Sequence, residues 1–163
     1  MDAETVDNDY TKLLGVVGAF CRTVDHMEDY QRLPWLQTIG TQLEELDAEM
    51  RRLRLDLAYQ FFALPDLDFR FAMFCRLKDF LGDWDGYPLP GDDAADPDDH
   101  SGSLADDLTD IYFELGRGLA LYRDDPADPL PAVQLWYTGY VLHWREHLHD
   151  ARCHLKVLLP RFA

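Results

Sequence analysis

The sequence predicts an all-α fold, an antiparallel bundle of about five helices with one long acidic loop at residues 83–102. Three observations support this prediction. Apolar residues recur at spacings of three and four along most of the chain, prolines and glycines separate these periodic segments, and neither strand-like alternation nor an Asn-Gly hairpin signal is present. Because 163 residues suffice for one self-supporting core, we expect a single helical-bundle domain over residues 1–163.

The first two predicted helices occupy the N-terminal third of the chain. The first runs from about Asp9 to Glu28, where apolar residues follow helical spacing. The second begins with Pro34 and continues to about Ala63, because a heptad pattern connects Leu36, Ile39, Leu43, Leu46, Met50, Leu53 and Leu57. Such a seam fits either a homodimeric coiled coil or the core-facing stripe of one long helix, and we favour the core-facing stripe.

The third predicted helix and the loop after it differ sharply in composition. The helix follows Leu64-Pro65, is rich in phenylalanine, ends near Gly82 and is expected to be buried. Residues 83–102 contain three prolines and seven aspartates without periodicity, which indicates a loop. An EF-hand beginning at Asp83 is rejected, because Ala94 stands where a calcium loop needs its bidentate glutamate.

Helix boundary signals define the fourth and fifth predicted helices. Ser103 is the expected N-cap of the fourth helix, with acidic residues in the favourable first turn, and the helix ends at Asp124-Asp125-Pro126. Pro129 and Pro131 bracket the start of the fifth helix, and Pro160 stops it. Two consecutive helices joined by so short a connection are expected to be antiparallel neighbours.

The net charge of the chain restricts the classes of molecule that it can bind. The chain has 31 acidic residues, 24 of them aspartate, against 15 basic residues, which gives a net charge of −16. Such a surface repels phosphate backbones, so we expect no nucleic-acid partner, and a basic protein is the partner that the charge favours. No segment approaches the about 20 apolar residues of a membrane span, and the acidic start is unlike a signal peptide. We therefore expect a cytoplasmic protein without a membrane partner.

The clearest candidate site lies in the last two predicted helices. Each of these helices carries residues of types that bind metal ions, at helical spacing. They are Asp106, Asp107, Asp110 and Glu114 on the fourth helix, and His143, His147 and Asp150 on the fifth. Antiparallel packing allows these two sets of residues to meet. Carboxylates and imidazoles can then hold a divalent metal ion, since zinc and iron sites need three or four such ligands about 2 Å from the ion.

The same residues also have a structural explanation. Aspartates in a first helical turn commonly satisfy free amides and the helix dipole. A histidine on a tryptophan-rich helix commonly packs inside and hydrogen-bonds a carboxylate. We therefore favour an Asp–His contact that clasps the two helices together without a resident cofactor, and keep a divalent metal site as the alternative.

Established catalytic sequence patterns are missing. His149-Asp150 resembles the dipeptide of HD phosphohydrolases, but no aspartate follows residue 150 to complete that site. The residues between His143 and His147 do not form the HExxH of zinc proteases, and a Gly-rich phosphate loop and a GxSxG elbow are absent from the sequence. These absences favour a protein that is not an enzyme.

The second half of the chain resembles the DUF5063 family, small bacterial all-helical proteins of uncharacterised function. The resemblance covers about Arg76 to Leu155 and is carried by two motifs. The first is SLADDLTDIY at residues 103–112, and the second is the His143, Trp144 and His147 element. The chain departs from the family in the segment after Tyr87, where it has PLPGDDAADPDDHSG. The resemblance implies an all-helical fold and supplies no activity.

Two functional hypotheses follow from the sequence. The leading one is a cytoplasmic, non-enzymatic protein that binds another protein through its acidic surface, as an adaptor, accessory or immunity-type module. The alternative is a metal-binding helical bundle, in which the ion could support metal-dependent hydrolysis. Its candidate ligands are His143, His147, Asp106, Asp107, Asp110 and Asp150. A homodimer is the third partner hypothesis.

Overall fold

A computed structural model describes residues 10–57 and 66–163 as a helical bundle. Its helices are α1 (Thr11–Asp25), α2 (Arg32–Arg52), α3 (Leu67–Leu81), α4 (Leu104–Asp124), α5 (Leu130–Gly139) and α6 (Arg145–Leu158). The π-helical turn Tyr140–Trp144 joins α5 to α6, so these two form the single fifth helix that the sequence predicts. The all-α class is thus confirmed. Among the described residues, no helix combines the length and hydropathy needed to cross a membrane.

The core draws on several helices and contains three tryptophans. Trp35, Trp136 and Trp144 have no exposed surface. The first five positions of the heptad pattern on α2 are at most 1% exposed: Leu36, Ile39, Leu43, Leu46 and Met50. This stripe therefore packs inside the chain's own core, which is the core-facing arrangement. Burial of these apolar groups is the main favourable term in the stability of the bundle.

The second helix is shorter than the heptad pattern predicts. The pattern extends it to about Ala63, which lies outside the described residues, but α2 ends at Arg52. Leu53 has an extended backbone, and Leu57 is 50% exposed. At this end, the guanidinium of Arg54 donates hydrogen bonds to the carbonyls of Arg51 and Leu53. Positive charge at the negative end of the helix dipole stabilises termination there.

The third helix is only partly buried, contrary to expectation. Met73, Leu77 and Leu81 form its buried stripe. Apolar residues at its N-terminal end face solvent instead, with exposures of 67% for Leu67, 54% for Phe69 and 65% for Phe71. Phenylalanine content alone cannot distinguish these two situations, because only one face of α3 contacts the bundle.

The acidic loop is tied to the bundle at both ends. After the 3₁₀ turn Gly82–Trp84, β1 (Gly86–Tyr87) pairs antiparallel with β2 (Gly102–Ser103). The sequence does not predict this short pairing. A Cβ atom at Gly102 would overlap the ring of Tyr87, so a glycine there lets the two strands approach. The pairing places Tyr87 beside the start of α4.

Two side chains cap the start of α4. Ser103 is the N-cap, as predicted, and its Oγ accepts a hydrogen bond from the amide of Asp106 at 3.2 Å. The loop adds Asp85, which is 5% exposed and accepts hydrogen bonds from the amide of Ala105 at 2.7 Å and from the Ser103 hydroxyl at 3.0 Å. The loop aspartate thus satisfies amides that a helix start leaves free.

Replacement of Asp85 by alanine should lower the free energy of unfolding by about 2 kcal/mol, since a cap is lost and the amide of Ala105 is left buried without a partner. Urea denaturation of the variant measures this change. Asp83→Ala is the control, because Asp83 is exposed and its loss should change stability by less than about 0.5 kcal/mol. Equal stabilities for the two variants would contradict the capping role.

Candidate metal centre

α4 and α6 pack with their polar faces together, and their contacts run in antiparallel order. His147 contacts Asp107 and Asp110, and the earlier residue His143 contacts the later residue Glu114. The i, i+3 and i+7 spacing on α4 places its three carboxylates on one face of the helix. Of the residues that helical spacing assigns to facing surfaces, the structure therefore brings together Asp107, Asp110, Glu114, His143 and His147.

The imidazole of His147 lies between two carboxylates. Its Nδ1 is 2.8 Å from Oδ1 of Asp107, and its Nε2 is 2.7 Å from Oδ2 of Asp110. Both aspartates are buried, with 4% and 7% exposure, respectively. Both ring nitrogens are thus within hydrogen-bond distance of an acceptor. This is the Asp–His clasp geometry, with one side chain joining α6 to two positions of α4.

His143 repeats the orientation of His147 at longer distances. Its Nδ1 is 3.8 Å from Oε1 of Glu114, and its Nε2 is 3.9 Å from Oδ2 of Asp110. The two imidazole rings are 5.2 Å apart and nearly perpendicular. One ligand atom from each of Asp110, His143 and His147 lies within 4.8 Å of the other two. The side chain of His143 is 52% exposed, so solvent reaches this cluster.

The π-helical turn Tyr140–Trp144 contains His143 and has a close contact at its start. A Cβ atom at Gly139 would lie 2.8 Å from Oε2 of Glu114 and 3.1 Å from the indole of Trp144. A glycine therefore makes room for the carboxylate that faces His143. π-Helical turns within α-helices occur frequently at functional sites, because they change the register of the residues that follow.

Two further side chains support the carboxylates from other elements. The hydroxyl of Tyr87, on β1, donates a hydrogen bond to Oδ2 of Asp107. The guanidinium of Arg70, on α3, forms an ion pair with Oδ1 of Asp110. Each aspartate therefore uses one oxygen for His147 and the other for an outer partner. Sequence spacing could not find these partners, because they come from segments with no periodic relation to α4.

Comparisons with known proteins identify the family. The sequence model described as Domain of unknown function (DUF5063) matches residues 4–160. The chain belongs to the DUF5063 family. This match extends beyond residues 76–155, to which the sequence motifs limit the resemblance. The fold is similar to the crystal structure of protein BF1032 from Bacteroides fragilis, with a TM-score of 0.74 and 14% identity, covering 91% of this chain and 90% of that chain.

The likeness to that structure shows a shared fold alone. None of the curated proteins matches the sequence significantly. For this DUF5063 protein, functional inference therefore depends on the chemistry of its own side chains.

The carboxylates of this DUF5063 protein control the protonation of His147. Hydrogen bonds to Asp107 and Asp110 raise the pKa of His147 to about 10 and outweigh the opposing effect of burial. Burial raises the pKa of Asp107, whereas His147 and Arg70 lower the pKa of Asp110 despite burial. The cluster thus balances two buried carboxylates against an imidazolium and a guanidinium.

Two of the metal ligands that the sequence suggests, Asp106 and Asp150, lie outside the closest contacts around His147. The side chain of Asp106 is 51% exposed and is 3.9 Å from the guanidinium of Arg70. Its carboxylate also forms a second cluster of potential ligand atoms with Asp107 and His147. Asp150 belongs to neither cluster found among the described residues and lines a neighbouring groove instead. Asp150 is therefore a useful reference position for substitution.

Proposed function

We propose that this protein binds one divalent transition-metal ion through an oxygen of Asp110 and the Nε2 atoms of His143 and His147. The observation that carries the proposal is the common orientation of the two imidazoles. Both Nε2 atoms face Oδ2 of Asp110, and both Nδ1 atoms face another carboxylate. A purely structural clasp requires only His147, whereas a metal site explains why His143 adopts the same orientation.

The second carboxylates match what metal-bound histidines need. Such histidines almost always direct their other ring nitrogen to a carboxylate, a carbonyl or water, which fixes the tautomer and increases ligand basicity. Asp107 has this position for His147 and Glu114 has it for His143. Arg70 bonds the remaining oxygen of the ligand Asp110. The chain therefore offers an outer partner for each of the three ligands.

The spacing of the ligand atoms requires only small side-chain movements. Two ligands about 2.1 Å from a tetrahedral ion are about 3.4 Å apart. The separations from Oδ2 of Asp110 are 2.7 Å for the nearer imidazole and 3.9 Å for the farther one. All three ligand atoms lie within 4.8 Å of one another, and we expect rotation of the half-exposed His143 to supply most of the adjustment.

Two imidazoles and one carboxylate suit zinc or iron(II) and leave coordination positions for water. A bound ion of this kind lowers the pKa of its water and supports hydrolysis when a substrate cavity is adjacent. A groove between α2 and α6 is lined by residues that include Gly40, Leu155 and Leu159, and by none of the three ligands. We therefore propose metal binding without a specific reaction.

Metal binding also requires loss of a proton. Because the two carboxylates raise the pKa of His147 to about 10, we expect its ring to carry a proton on each nitrogen without a metal ion, and coordination through Nε2 displaces one of them. Affinity is therefore expected to increase with pH, and protons should be released as the ion binds. Proton release distinguishes this site from weak screening by exposed carboxylates, which are already ionised.

Calorimetric titration of tag-free protein with Zn²⁺ should give one bound ion per chain, and Co²⁺ should produce a visible ligand-field spectrum. His143→Ala should weaken binding at least about 100-fold, because loss of a ligand costs more than the 10–100-fold typical of an outer partner. This variant should fold, since the side chain is half exposed. Asp150→Asn is the matched control and should bind as the wild type does.

Two results would contradict the proposed function. One is substoichiometric binding of every ion tested, including zinc, cobalt, manganese and iron(II). The other is equal affinity in the wild type and His143→Ala, which would show that the ion binds to other acidic groups of the chain.

A further inference from the structure

The N-terminal half of α3 exposes large apolar side chains close together. We call Leu67, Phe71 and Phe74 the α3 face; Leu67 is 67% exposed and Phe71 is 65% exposed. Leu67, Phe71 and Phe74 follow i, i+4 and i+7 spacing and line one groove together with Arg70 and Asp106. Single exposed apolar residues are ordinary, but a contiguous group with polar residues at its edge is typical of a binding surface.

Ring contacts order the α3 face before any partner binds. The rings of Phe71 and Phe74 stack with centroids 6.3 Å apart. Phe74 is also partly buried against the core, and the ammonium of Lys78 lies 5.4 Å from the centroid of its ring. Aromatic side chains held in this way bury a large area on binding and lose little conformational entropy, which is the property of interface hot spots.

The edge of the α3 face is negatively charged. Asp66 and Asp68 are exposed beside it, and the half-exposed Asp106 lines its groove. The nearby guanidinium of Arg70 is already paired with Asp110, and the ammonium of Lys78 lies 3.9 Å from Asp85. Asp106 also lies 3.9 Å from Arg70, so the part of the edge that has no ion-pair partner among the described residues is the N-terminal one, at Asp66 and Asp68.

The negative charge at the edge of the α3 face favours some classes of binding partner over others. A second copy would bring another acidic edge and another net charge of −16 to the same contact. Nucleic acids and anionic membranes are repelled for the same reason. A partner with apolar residues on one side and lysine or arginine beside them satisfies both the groove and its edge.

We propose that the α3 face binds a basic amphipathic helix of another protein. Apolar residues of that helix at i, i+3 or i+4 and i+7 pack between the phenylalanine rings, and its cations pair with the aspartates at the edge. Charge complementarity contributes mainly to the association rate and to specificity, so binding should weaken as salt concentration rises. This proposal does not depend on metal binding.

Selection from a displayed library of random 16-residue peptides on the full-length protein tests the proposal. Counter-selection uses the Leu67→Ser/Phe71→Ser double variant, whose thermal unfolding should remain cooperative because both side chains are largely exposed. Enriched peptides should have a net positive charge and helical apolar spacing, and should bind the double variant at least about tenfold more weakly than the wild type. Leu121→Ser/Val157→Ser removes two other exposed apolar side chains and should bind them normally.

Three outcomes would overturn this proposal. Enriched peptides that are acidic or that bind the double variant equally well would place the binding surface elsewhere. A wild-type dimer in sedimentation that the double variant converts to a monomer would identify a second copy as the occupant. Tight binding of neutral phospholipid vesicles, lost in the double variant, would identify a membrane surface instead.

Discussion

Gly118→Ala should lower the free energy of unfolding by about 3 kcal/mol, although alanine is the better helix former. A Cβ atom at this position of α4 would overlap the indole nitrogen of Trp136. That indole is fully buried and donates a hydrogen bond to the carbonyl of Leu115 at 3.0 Å. The methyl group must therefore displace a large side chain and break its hydrogen bond, costs that exceed the gain of about 1 kcal/mol in helix propensity.

Gly116→Ala provides a control two residues earlier in the same helix. A Cβ atom at Gly116 meets no atom within 4 Å, so this substitution should stabilise the protein by about 0.4–1 kcal/mol. Urea denaturation of the two variants and the wild type measures the difference. A stability of Gly118→Ala equal to or above that of the wild type would show that α5 does not pack against α4 as described.

His147→Gln should lower the free energy of unfolding by about 3 kcal/mol in metal-free protein near neutral pH. The substitution removes the cation between two buried carboxylates and leaves a side chain that can donate to only one of them at a time. Breaking a buried ion pair by removal of one partner is costly, because a buried charge then lacks compensation. Chemical denaturation in the presence of a chelator measures this effect.

The pH dependence of this difference has a defined sign. Folding raises the pKa of His147 from 6.5 to about 10, so the folded state binds the proton more tightly than the unfolded state does. The stability contributed by His147 is therefore fully present below pH 6.5, decreases above it and is lost as the pH rises through about 10. The difference in stability between the wild type and His147→Gln should shrink across that range.

His149→Gln is the control for general pH effects, since His149 is exposed on the same helix. Its difference in stability from the wild type should be small and should not follow the pattern of His147→Gln. A stability difference for His147→Gln that stays constant between pH 6.5 and about 10 would contradict an imidazolium shared by Asp107 and Asp110.

The boundaries of the later helices could be predicted from the sequence because local chemistry determines them. Ser103 caps α4, Pro129 precedes α5 and Pro160 follows α6, as expected from their backbone and side-chain properties. The end of α2 could not be predicted, since the apolar spacing continues through Leu57 although the helix ends at Arg52, where Arg54 bonds the carbonyls of Arg51 and Leu53. Apolar periodicity predicts which face of a helix is buried, but it does not predict where the helix ends.

The candidate site was predictable only where its residues share a helix. Spacing on α4 and α6 is sufficient to bring Asp107, Asp110 and His147 together once the helices are antiparallel. Arg70 and Tyr87 reach the same carboxylates from α3 and β1, which depends on tertiary packing that one sequence does not reveal. The π-helical turn that contains His143 also has no signal in the apolar pattern.

Anomalous diffraction from crystals of the cobalt- or zinc-loaded protein should reveal whether one metal ion lies between α4 and α6. The expected result is a single strong peak per chain, about 2.0–2.2 Å from an oxygen of Asp110 and from the Nε2 atoms of His143 and His147. Crystals grown with excess metal that show no peak at this position, with the His147 nitrogens still bonded to Asp107 and Asp110, would contradict the proposed metal site.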